Sequence, residues 1–407
     1  MGVQPQRGAA LFVLPTTTSG QTGPVAGWIS TCGWASAAQR ELGRAWIVTP
    51  QGILDIDEVR RRAADTRAAS PPGHRRARRA LPPVAKTLLK DGREALRARR
   101  FRPDGRGPWT EGDHEIEFVW QRHELFHSAG LTLANRLQVP SVLFVPALVV
   151  WQAEQWNVRR PGWGTWLERR GEQPALRHAT LVACGTEVVA EEVARLGVAE
   201  DRLIITPTGV DLDLFTPPIN RAAARRSAGV GDEVVIGWAG SFRPFHAIDE
   251  LVRAVVPLTG VSLLLVGDGP ERTRIEHLAQ ELGVRARFTG LVAHQELPAL
   301  LAAMDIGVVL GRPDEPFHYS PLKLAEYLAS GLAVVAPDVR QLTNRLDQGR
   351  QAVFFVPGDT AGLSRALQTL ADDPEHRRRI AEAGHSVATH WSWDHQVRAV
   401  RHALTLR

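Results

Sequence analysis

The stretch VVIGWAGSFRPFHAIDELVRAVVPLTGVSLLLV, residues 234–266, decides the fold of this chain. It opens with an apolar run, 234–239, that ends at Gly240. A helical period follows over 248–256, and a second apolar run covers 262–266. Strands buried on both faces of a parallel sheet are apolar throughout, and a helix connects one such strand to the next. The stretch therefore predicts a strand–helix–strand unit of a parallel sheet.

The same alternation continues along the chain and predicts two α/β domains. In the second half, helices are predicted at 271–282, 297–303 and 321–330, and strands at 286–289, 306–310 and 333–336. In the first half, strands are predicted at 10–14, 45–49, 116–120, 142–145 and 181–184, and helices at 28–42, 124–137 and 186–196. Such alternation is typical of doubly wound, Rossmann-like sheets, which bind ligands at the carboxyl ends of their strands.

The junction between the two domains is predicted at 207–218, which is rich in Pro, Asp and Gly. We expect an N-terminal Rossmann-like domain at 1–210, with a basic insertion at about 60–107. A second Rossmann-like domain is expected at 211–388. A final helix within 389–407 is expected to return toward the N-terminal domain.

Composition favours a soluble globular enzyme, with 44% hydrophobic and 23% charged residues. No apolar run reaches the roughly 20 residues that a spanning helix needs. The two cysteines show no metal-binding spacing. The net charge of +5 is concentrated: residues 60–106 hold 16 basic and four acidic residues, so the rest of the chain carries −7. This distribution argues against a nucleic-acid-binding protein. A cytoplasmic location is expected, because the sequence shows no segment typical of a spanning helix.

The segment HYSPLKLAEYLASG, residues 318–331, holds both tyrosines of the chain and one of its three lysines. Ser320 suits the N-cap of a helix and Pro321 its first position, while Gly331 is placed to end it. Lys323 and Glu326 are three residues apart and share one face.

Side chains on a helix lean toward its N-terminus, where free amides and the macrodipole favour an anion. Lys323, Glu326 and these amides together suit a diphosphate and a ribose hydroxyl. An ordinary capped core helix gives the same local pattern, so the segment alone leaves both readings open.

Two glycine turns follow strands in the second domain, at Gly240 and at 267–269. Both allow the backbone to approach a ligand at the carboxyl edge of the sheet. Arg243 and His246 are then candidate phosphate contacts, with solvated loop residues as the alternative. The second turn fails the dinucleotide fingerprint, because Arg272 stands where a third glycine is required.

Four stretches in order carry a family resemblance: TPTGVDLDLFTP at 206–217, GWAGSFRPFHAIDEL at 237–251, LLVGDGPE at 264–271 and HYSPLKLAEYLASG at 318–331. With them, the chain resembles the retaining glycosyltransferases of family 4, in a subgroup with an SPLK-type donor motif. The resemblance implies the GT-B fold, which is two facing Rossmann-like domains.

The resemblance also implies a nucleoside-diphosphate sugar held mainly by the C-terminal domain, and it assigns residues to that ligand. Glu326 occupies the position of the acid that binds the ribose, while His318 stands where relatives carry an acid that touches the sugar. Contacts to the diphosphate are implied for Gly240, Ser241, Arg243, His246 and Lys323. Contacts to the sugar or ribose are implied for His318, Tyr319, Ser320, Pro321, Leu322 and Glu326.

In the N-terminal domain, the stretch EFVWQRH at 117–123 resembles the strand after which many relatives carry a catalytic-site histidine. By that register Arg122 or His123 would stabilise charge at the reacting centre, together with Lys323. The alternative is that Arg122 and His123 are two surface residues of a loop. The acid pairs Asp55/Asp57 and Asp211/Asp213 are interpreted as loop and strand-end acids. We expect no metal, and no cofactor beyond the nucleotide-sugar co-substrate.

The expected function is transfer of a hexose to a hydroxyl of a glycan, a lipid-linked acceptor or a small molecule, with retention. The alternative is a catalytically silent nucleotide-sugar-binding or scaffold protein of the same fold. A nicotinamide-dependent oxidoreductase is disfavoured by the failed fingerprint.

The basic insertion carries a second expectation about partners. Val84, Leu88, Leu89 and Leu96 fall near one helix face, and basic residues dominate the rest. Such a helix is typical of peripheral contact with an anionic membrane, here at the inner membrane face. A solvated insertion is the alternative.

Overall fold

The computed structural model describes residues 7–15, 26–59, 82–111, 114–156, 158–313, 317 and 320–407. Its strands form two separate sheets. The first sheet contains β1 (Arg7–Val13), β2 (Arg44–Thr49), β3 (Gly52–Asp55), β4 (His114–Arg122), β5 (Ser141–Val145), β6 (Leu181–Cys184) and β7 (Leu203–Ile205). The second contains β8 (Val234–Ala239), β9 (Val261–Val266), β10 (Ala286–Phe288), β11 (Ile306–Val308), β12 (Ala333–Pro337) and β13 (Val353–Phe355).

Helices cover both sheets. Those of the first lobe, which is built on β1–β7, are α1 (Ala26–Leu42), α2 (Pro83–Arg100), α3 (Ala129–Leu137), α4 (Val149–Gln155), α5 (Gly164–Leu167), α6 (Gln173–His178) and α7 (Glu187–Arg195). Those of the second lobe, built on β8–β13, are α8 (Arg221–Ala228), α9 (Ile248–Val255), α10 (Arg272–Glu281), α11 (Leu297–Leu301), α12 (Leu322–Ala329), α13 (Arg340–Thr343), α14 (Thr360–Asp372) and α15 (Pro374–Ala388). The last helix is α16 (Trp393–Thr405).

Strand order shows that both sheets are doubly wound. The first sheet runs β3-β2-β1-β4-β5-β6-β7 and the second β10-β9-β8-β11-β12-β13. Pairing is parallel except between β2 and β3, where an antiparallel edge strand is added. The order reverses between β1 and β4 and between β8 and β11, and ligands bind at such switch points. The predicted fold class, two Rossmann-like doubly wound domains, is therefore confirmed.

The core of the first lobe is rich in aromatic side chains. Trp120 and Phe144 stack with ring centroids 5.4 Å apart, and Trp34 bridges them to Trp393 of α16 at 5.9 Å. The C-terminal helix thus packs in the first lobe, where the side chain of Arg40 also pairs with Asp394 at 2.7 Å. The division of the chain at 210 and 388 stays a proposal.

Two local predictions are corrected. The helix predicted at 124–137 begins only at Ala129, because Phe126 has φ 68° and cannot belong to a right-handed helix. Ser320 does not cap α12: Pro321 occupies the N-cap, and no side chain caps the helix. The Ser320 hydroxyl instead accepts a hydrogen bond from the Thr208 amide at 3.0 Å.

Candidate active site

Helix α12 is positioned by Tyr327, which lies fully buried against β11. A Cβ at Gly307 would lie 2.6 Å from the Tyr327 ring, so the helix sits directly on the strand. The Tyr327 hydroxyl accepts a hydrogen bond from the amide of Ala239, the last residue of β8, at 2.7 Å. Burial raises the pKa of Tyr327, so this hydroxyl stays neutral. The helix is thereby fixed at the switch point between β8 and β11.

Lys323 lies one turn earlier on α12, over the carboxyl end of β8. Its Nζ is 4.1 Å from the centroid of the Trp238 ring and would lie 3.0 Å from a Cβ at Gly240. Burial removes water from the ammonium group and lowers the pKa of Lys323 to about 7, an effect that Glu326 partly opposes. An anion bound here would favour the charged form.

The two predicted glycine turns pack backbone against backbone. Gly240 has φ 156°, and its carbonyl oxygen would lie 2.0 Å from a Cβ at Gly267. Likewise, a Cβ at Gly269 would lie 2.8 Å from the Phe242 amide nitrogen. Side chains at these glycines would separate the turns, so glycine lets them form one rim at the carboxyl ends of β8 and β9.

His246 lies in the turn after Gly240, beside the indole of Trp238, with the ring centroids 5.2 Å apart. Burial and the Lys323 charge lower the pKa of His246 to about 2, so the ring is neutral. Its Nδ1 is 3.2 Å from the carbonyl oxygen of Ser241. Because a carbonyl only accepts, Nδ1 carries the proton and Nε2 is an acceptor.

Ser241 and Arg243 are exposed on this rim. The Arg243 guanidinium forms no ion pair with any carboxylate in the described ranges. It is therefore available to a ligand phosphate, and the roles assigned to Ser241, Arg243 and His246 stay predictions.

Glu326 is 5% exposed, and its Oε1 is 2.8 Å from Nε2 of His294. The His294 ring in turn lies 5.3 Å from the ring of Phe215. His294 was not among the residues predicted for the site. Its position after β10, at the same sheet edge as the two glycine turns, is the signal that could have found it. The ribose contact of Glu326 stays a prediction, now with one carboxylate oxygen held by His294.

The residues before Lys323 connect the two lobes. Beyond its hydroxyl contact, Ser320 uses its carbonyl to accept from the Thr208 hydroxyl at 2.8 Å, joining the segment 206–209 to α12. Pro321 is buried, and Leu322 packs against the aromatic core of the first lobe. The predicted sugar contacts His318 and Tyr319 lie outside the described residues.

Arg122 is the last residue of β4, at the switch point of the first sheet. Its Nε lies 3.4 Å from the Glu124 carboxylate and would lie 3.1 Å from a Cβ at Gly27. Burial lowers the pKa of Arg122, although Glu124 opposes this. Its predicted role at the reacting centre stays a prediction.

His123 has a fully buried side chain, and its Nε2 lies 3.0 Å from the Glu172 carboxylate. The same carboxylate accepts from the amides of Val149 and Val150 at 2.6 and 3.2 Å, which caps α4. His123 therefore helps to position Glu172 and the start of α4, and its ring is not exposed to solvent. Direct stabilisation of the reacting centre by His123 stays a prediction.

The lobes also meet at an aromatic pair and an ion pair. Trp156, just after α4, stacks on Phe245 with ring centroids 5.5 Å apart and planes 12° apart. Arg345 contacts the Glu187 carboxylate at 3.0 Å. The Trp156–Phe245 pair places the end of α4 directly against the turn that carries Arg243 and His246.

The first acid pair follows a strand end, since Asp55 is the last residue of β3, whereas Asp211 and Asp213 lie in a loop. Asp55 accepts from the Asp57 amide at 2.8 Å, and Asp211 accepts from the Asp213 amide at 3.1 Å. Within the described part of the chain, no group of three His, Cys, Asp or Glu residues is placed to hold a metal ion. Nor does any helix there have the length and apolar character needed to cross a bilayer.

Two of the sequence relatives of this chain are glycosyltransferases. The D-inositol 3-phosphate glycosyltransferase of Stackebrandtia nassauensis is 32% identical over 241 residues, which are 55% of this chain and 54% of that protein. The lipopolysaccharide core biosynthesis glycosyltransferase LpsE of Rhizobium meliloti is 31% identical over 226 residues, covering 54% of this chain and 63% of that one. The chain spans about half the length of the curated relatives it matches.

A solved structure and a family model complete the comparison. The crystal structure of Anabaena Alr3699/HepE in complex with UDP-glucose matches with a TM-score of 0.63 and 17% identity, over 98% of this chain and 100% of that chain. Residues 233–373 match the family model of the glycosyl transferases, group 1. The chain therefore has the GT-B fold, and its residues 233–373 are similar to the group 1 glycosyl transferases.

Proposed function

We propose that the protein transfers a hexose from a nucleoside-diphosphate sugar to an acceptor hydroxyl, with retention at the anomeric carbon. The observation that carries the proposal is the position of the Lys323 ammonium, beside the Gly240 turn and near the start of α12. A half-buried cation and the N-terminus of α12 favour a diphosphate at this point.

Lys323 would act mainly in the transition state. As the bond between the sugar and the diphosphate breaks, negative charge grows on the leaving phosphate oxygen. A preorganised cation there lowers the barrier more than it stabilises the bound donor. Arg243 would add a second cation from the rim, while Glu326, held by His294, would bind the ribose hydroxyls.

Retention is proposed without a carboxylate nucleophile, because Glu326 is already engaged by His294. The acceptor oxygen would form its bond to the anomeric carbon on the face that the diphosphate leaves. The sugar would pass through an oxocarbenium-like state, and the acceptor proton would move to the leaving phosphate oxygen. No metal is proposed, since cations and amides of the protein would offset the diphosphate charge.

Acceptor binding is proposed in the first lobe, at the switch point of its sheet, where β4 ends with Arg122. The stacked pair of Trp156 and Phe245 brings this lobe against the donor turn, which would exclude water from the reacting atoms. Arg122 would then stabilise charge near the anomeric carbon.

A peripheral contact with an anionic membrane is proposed through α2, at the inner face of a membrane and with a cytoplasmic location. Leu88, Leu89 and Leu96 are 52, 49 and 55% exposed, and lysines and arginines lie beside them on the helix. The helix is held to the protein by Asp91, which is 4% exposed and accepts two hydrogen bonds from Arg160 at 2.9 and 3.1 Å. An acidic anchor with leucines outward suits an apolar surface bearing negative charge.

Donor binding and transfer are tested together. A thermal-shift panel of nucleoside diphosphates and nucleotide sugars identifies the donor, because a ligand of the native state raises the Tm. Release of nucleoside diphosphate is then followed with candidate acceptors. Binding without hydrolysis or transfer would instead support the catalytically silent alternative, and no stabilisation by any compound would overturn the proposal.

Membrane contact is tested by flotation with phosphatidylcholine vesicles, with and without phosphatidylglycerol. The wild type should float only with the anionic vesicles, and Leu88→Asp/Leu96→Asp should not float. Val356→Asp is the matched control, since Val356 is an exposed apolar residue of the second lobe. Equal flotation of all variants, or none of the wild type, would remove membrane contact from the proposal.

A further inference from the structure

The ammonium group of Lys323 is half-buried, and within the described ranges it forms no ion pair and no hydrogen bond. Glu326 is three residues further along the same helix face, a spacing that allows an ion pair. One carboxylate oxygen of Glu326 is instead bound to His294 at 2.8 Å. A lysine side chain is long and flexible. The position of this ammonium must therefore depend on a contact of another kind.

That contact is with the face of Trp238, the last but one residue of β8. Nζ of Lys323 lies 4.1 Å from the ring centroid. A cation above an indole is attracted by the negative face of the ring, more strongly where water is largely excluded. Trp238 is fully buried. Its Nε1 has no hydrogen-bond partner among the described residues, so a hydrogen bond does not explain why tryptophan stands here.

Lys323 and Trp238 come from opposite sides of the second sheet. The buried residues of α12 pack in one core cluster, on the side of Val235, whereas Trp238 belongs to the other cluster. The ammonium therefore meets the indole at the carboxyl end of β8. A Cβ at Gly240 would lie 3.0 Å from Nζ and 2.9 Å from the indole ring, so a side chain there would push the two groups apart. Glycine at this position permits the contact.

The indole is itself held by neighbouring aromatic rings. Phe242 packs against it edge-on, with ring centroids 5.1 Å apart and planes 78° apart, and the His246 ring lies at 5.2 Å. Phe242 is fully buried and also packs against Phe288 of β10 at 6.1 Å. The core of the second lobe thus sets the position of the Trp238 ring, and no ligand is needed for it.

A ring face differs from a carboxylate as a partner for an ammonium group. A carboxylate would accept hydrogen bonds and neutralise the charge, and an incoming anion would first have to break that ion pair. The ring attracts the cation but leaves its N–H donors available to a ligand. A cation that is already in place when the anion arrives loses less conformational freedom on binding.

We propose that Trp238 is a positioning residue of the donor site, whose ring face holds the Lys323 ammonium over the Gly240 turn with its N–H donors open to the diphosphate. The inference rests on the proposed function, because the anion is the diphosphate of that donor. It assigns no contact between Trp238 and the ligand. Removal of the ring should therefore act only through Lys323.

The position of the ammonium is tested without any ligand. The chain has three lysines, of which Lys86 and Lys90 are exposed on α2, so protein isotope-labelled at lysine Cε should give three NMR signals. Protons above a ring face are shifted upfield by the ring current. The signal that Lys323→Arg removes should be shifted upfield in the wild type, and Trp238→Leu should abolish this shift. A wild-type signal without the shift, or a shift that persists in Trp238→Leu, would overturn the inference.

The effect on binding is measured by calorimetry with uridine and guanosine diphosphates as probes. Trp238→Leu should weaken binding of the diphosphate that the wild type prefers by roughly 5- to 30-fold. Trp238→Phe should lose less, because a phenyl ring keeps an attractive face. Phe288→Leu is the matched control: it removes a ring from the same aromatic cluster without removing the ring under Lys323, and it should bind like the wild type.

A double-mutant cycle separates positioning from a general structural effect. In the Lys323→Ala background, Trp238→Leu should change the affinity by less than about twofold, because no ammonium is left to position. An equal loss in both backgrounds, or an equal loss in Phe288→Leu, would contradict the positioning role. Where Trp238→Leu does not fold, Trp238→Phe carries the same cycle with a smaller expected loss. Failure of both diphosphates to bind the wild type counts against the proposed function instead, while the NMR signal of Lys323 still tests where its ammonium lies.

Discussion

Replacing Lys323 by alanine should weaken nucleoside-diphosphate binding by a predictable amount. An ammonium group and a phosphate charge about 4 Å apart attract by about 4 kcal/mol at the effective dielectric constant of a protein surface. Since the pKa of Lys323 is lowered to about 7, about half of the Lys323 side chains are protonated at pH 7 in the free protein. Protonating the remaining half on binding reduces the gain from the attraction by only about 0.4 kcal/mol. The variant should therefore lose on the order of 10²–10³-fold in affinity.

The lowered pKa also predicts proton uptake on binding. At pH 8 only about a tenth of Lys323 is protonated when its pKa is about 7. A bound diphosphate, itself fully ionised at that pH, holds the side chain charged, so binding should take up about 0.9 proton. Titration calorimetry in two buffers with different ionisation enthalpies measures this number.

Two variants make the measurement specific to Lys323. Lys323→Ala should bind weakly and take up no proton. Lys323→Arg should retain more affinity but also take up no proton, because a guanidinium is always charged. Proton uptake that persists in Lys323→Ala, or an affinity within about threefold of the wild type, would refute the placement of this ammonium at the diphosphate.

Three further predictions concern the supports of the site. Tyr327→Phe should lower the free energy of unfolding by about 1–3 kcal/mol, because a buried strand amide loses its acceptor, and chemical denaturation measures this. Asp91→Ala should cost about 3–5 kcal/mol by leaving the buried charge of Arg160 unpaired, whereas Asp91→Asn should cost less; hydrogen exchange of α2 reports the loosening. His294→Ala should weaken nucleoside-diphosphate binding roughly tenfold, and His294→Gln, which keeps a donor, should restore most of it. A full effect in His294→Gln would show that the ring, not the hydrogen bond, matters.

The fold class followed from the sequence because buried parallel strands and connecting helices have distinct apolar periods. The edge strand of the first sheet and the exact ends of helices were less predictable. The antiparallel strand Gly52–Asp55 has four residues and no clear alternation, so nothing local marked it. The early start predicted for α3 failed because the tertiary hydrogen bond of Phe126 to Gly171 outweighs its helical tendency.

The site was predictable where one segment carried it and not where distant segments meet. The charge and position of Lys323 on its helix follow from local rules, and the Gly240 turn follows from its strand. The pairing of Glu326 with His294 joins residues 32 positions apart and depends on how two loops pack. Ser320 was assigned to a cap by its type, whereas its partner Thr208 lies 112 positions away.

The backbone crosses between the lobes twice, and the two crossings are bonded side by side. The amide of Val210 donates to the carbonyl of Trp391 at 2.9 Å, and the amide of Trp393 donates back to Val210 at 3.2 Å. Two connections that are hydrogen-bonded to each other cannot rotate independently, whereas a single connection could. Because the two connections are bonded to each other at Val210, relative movement of the lobes should pivot there.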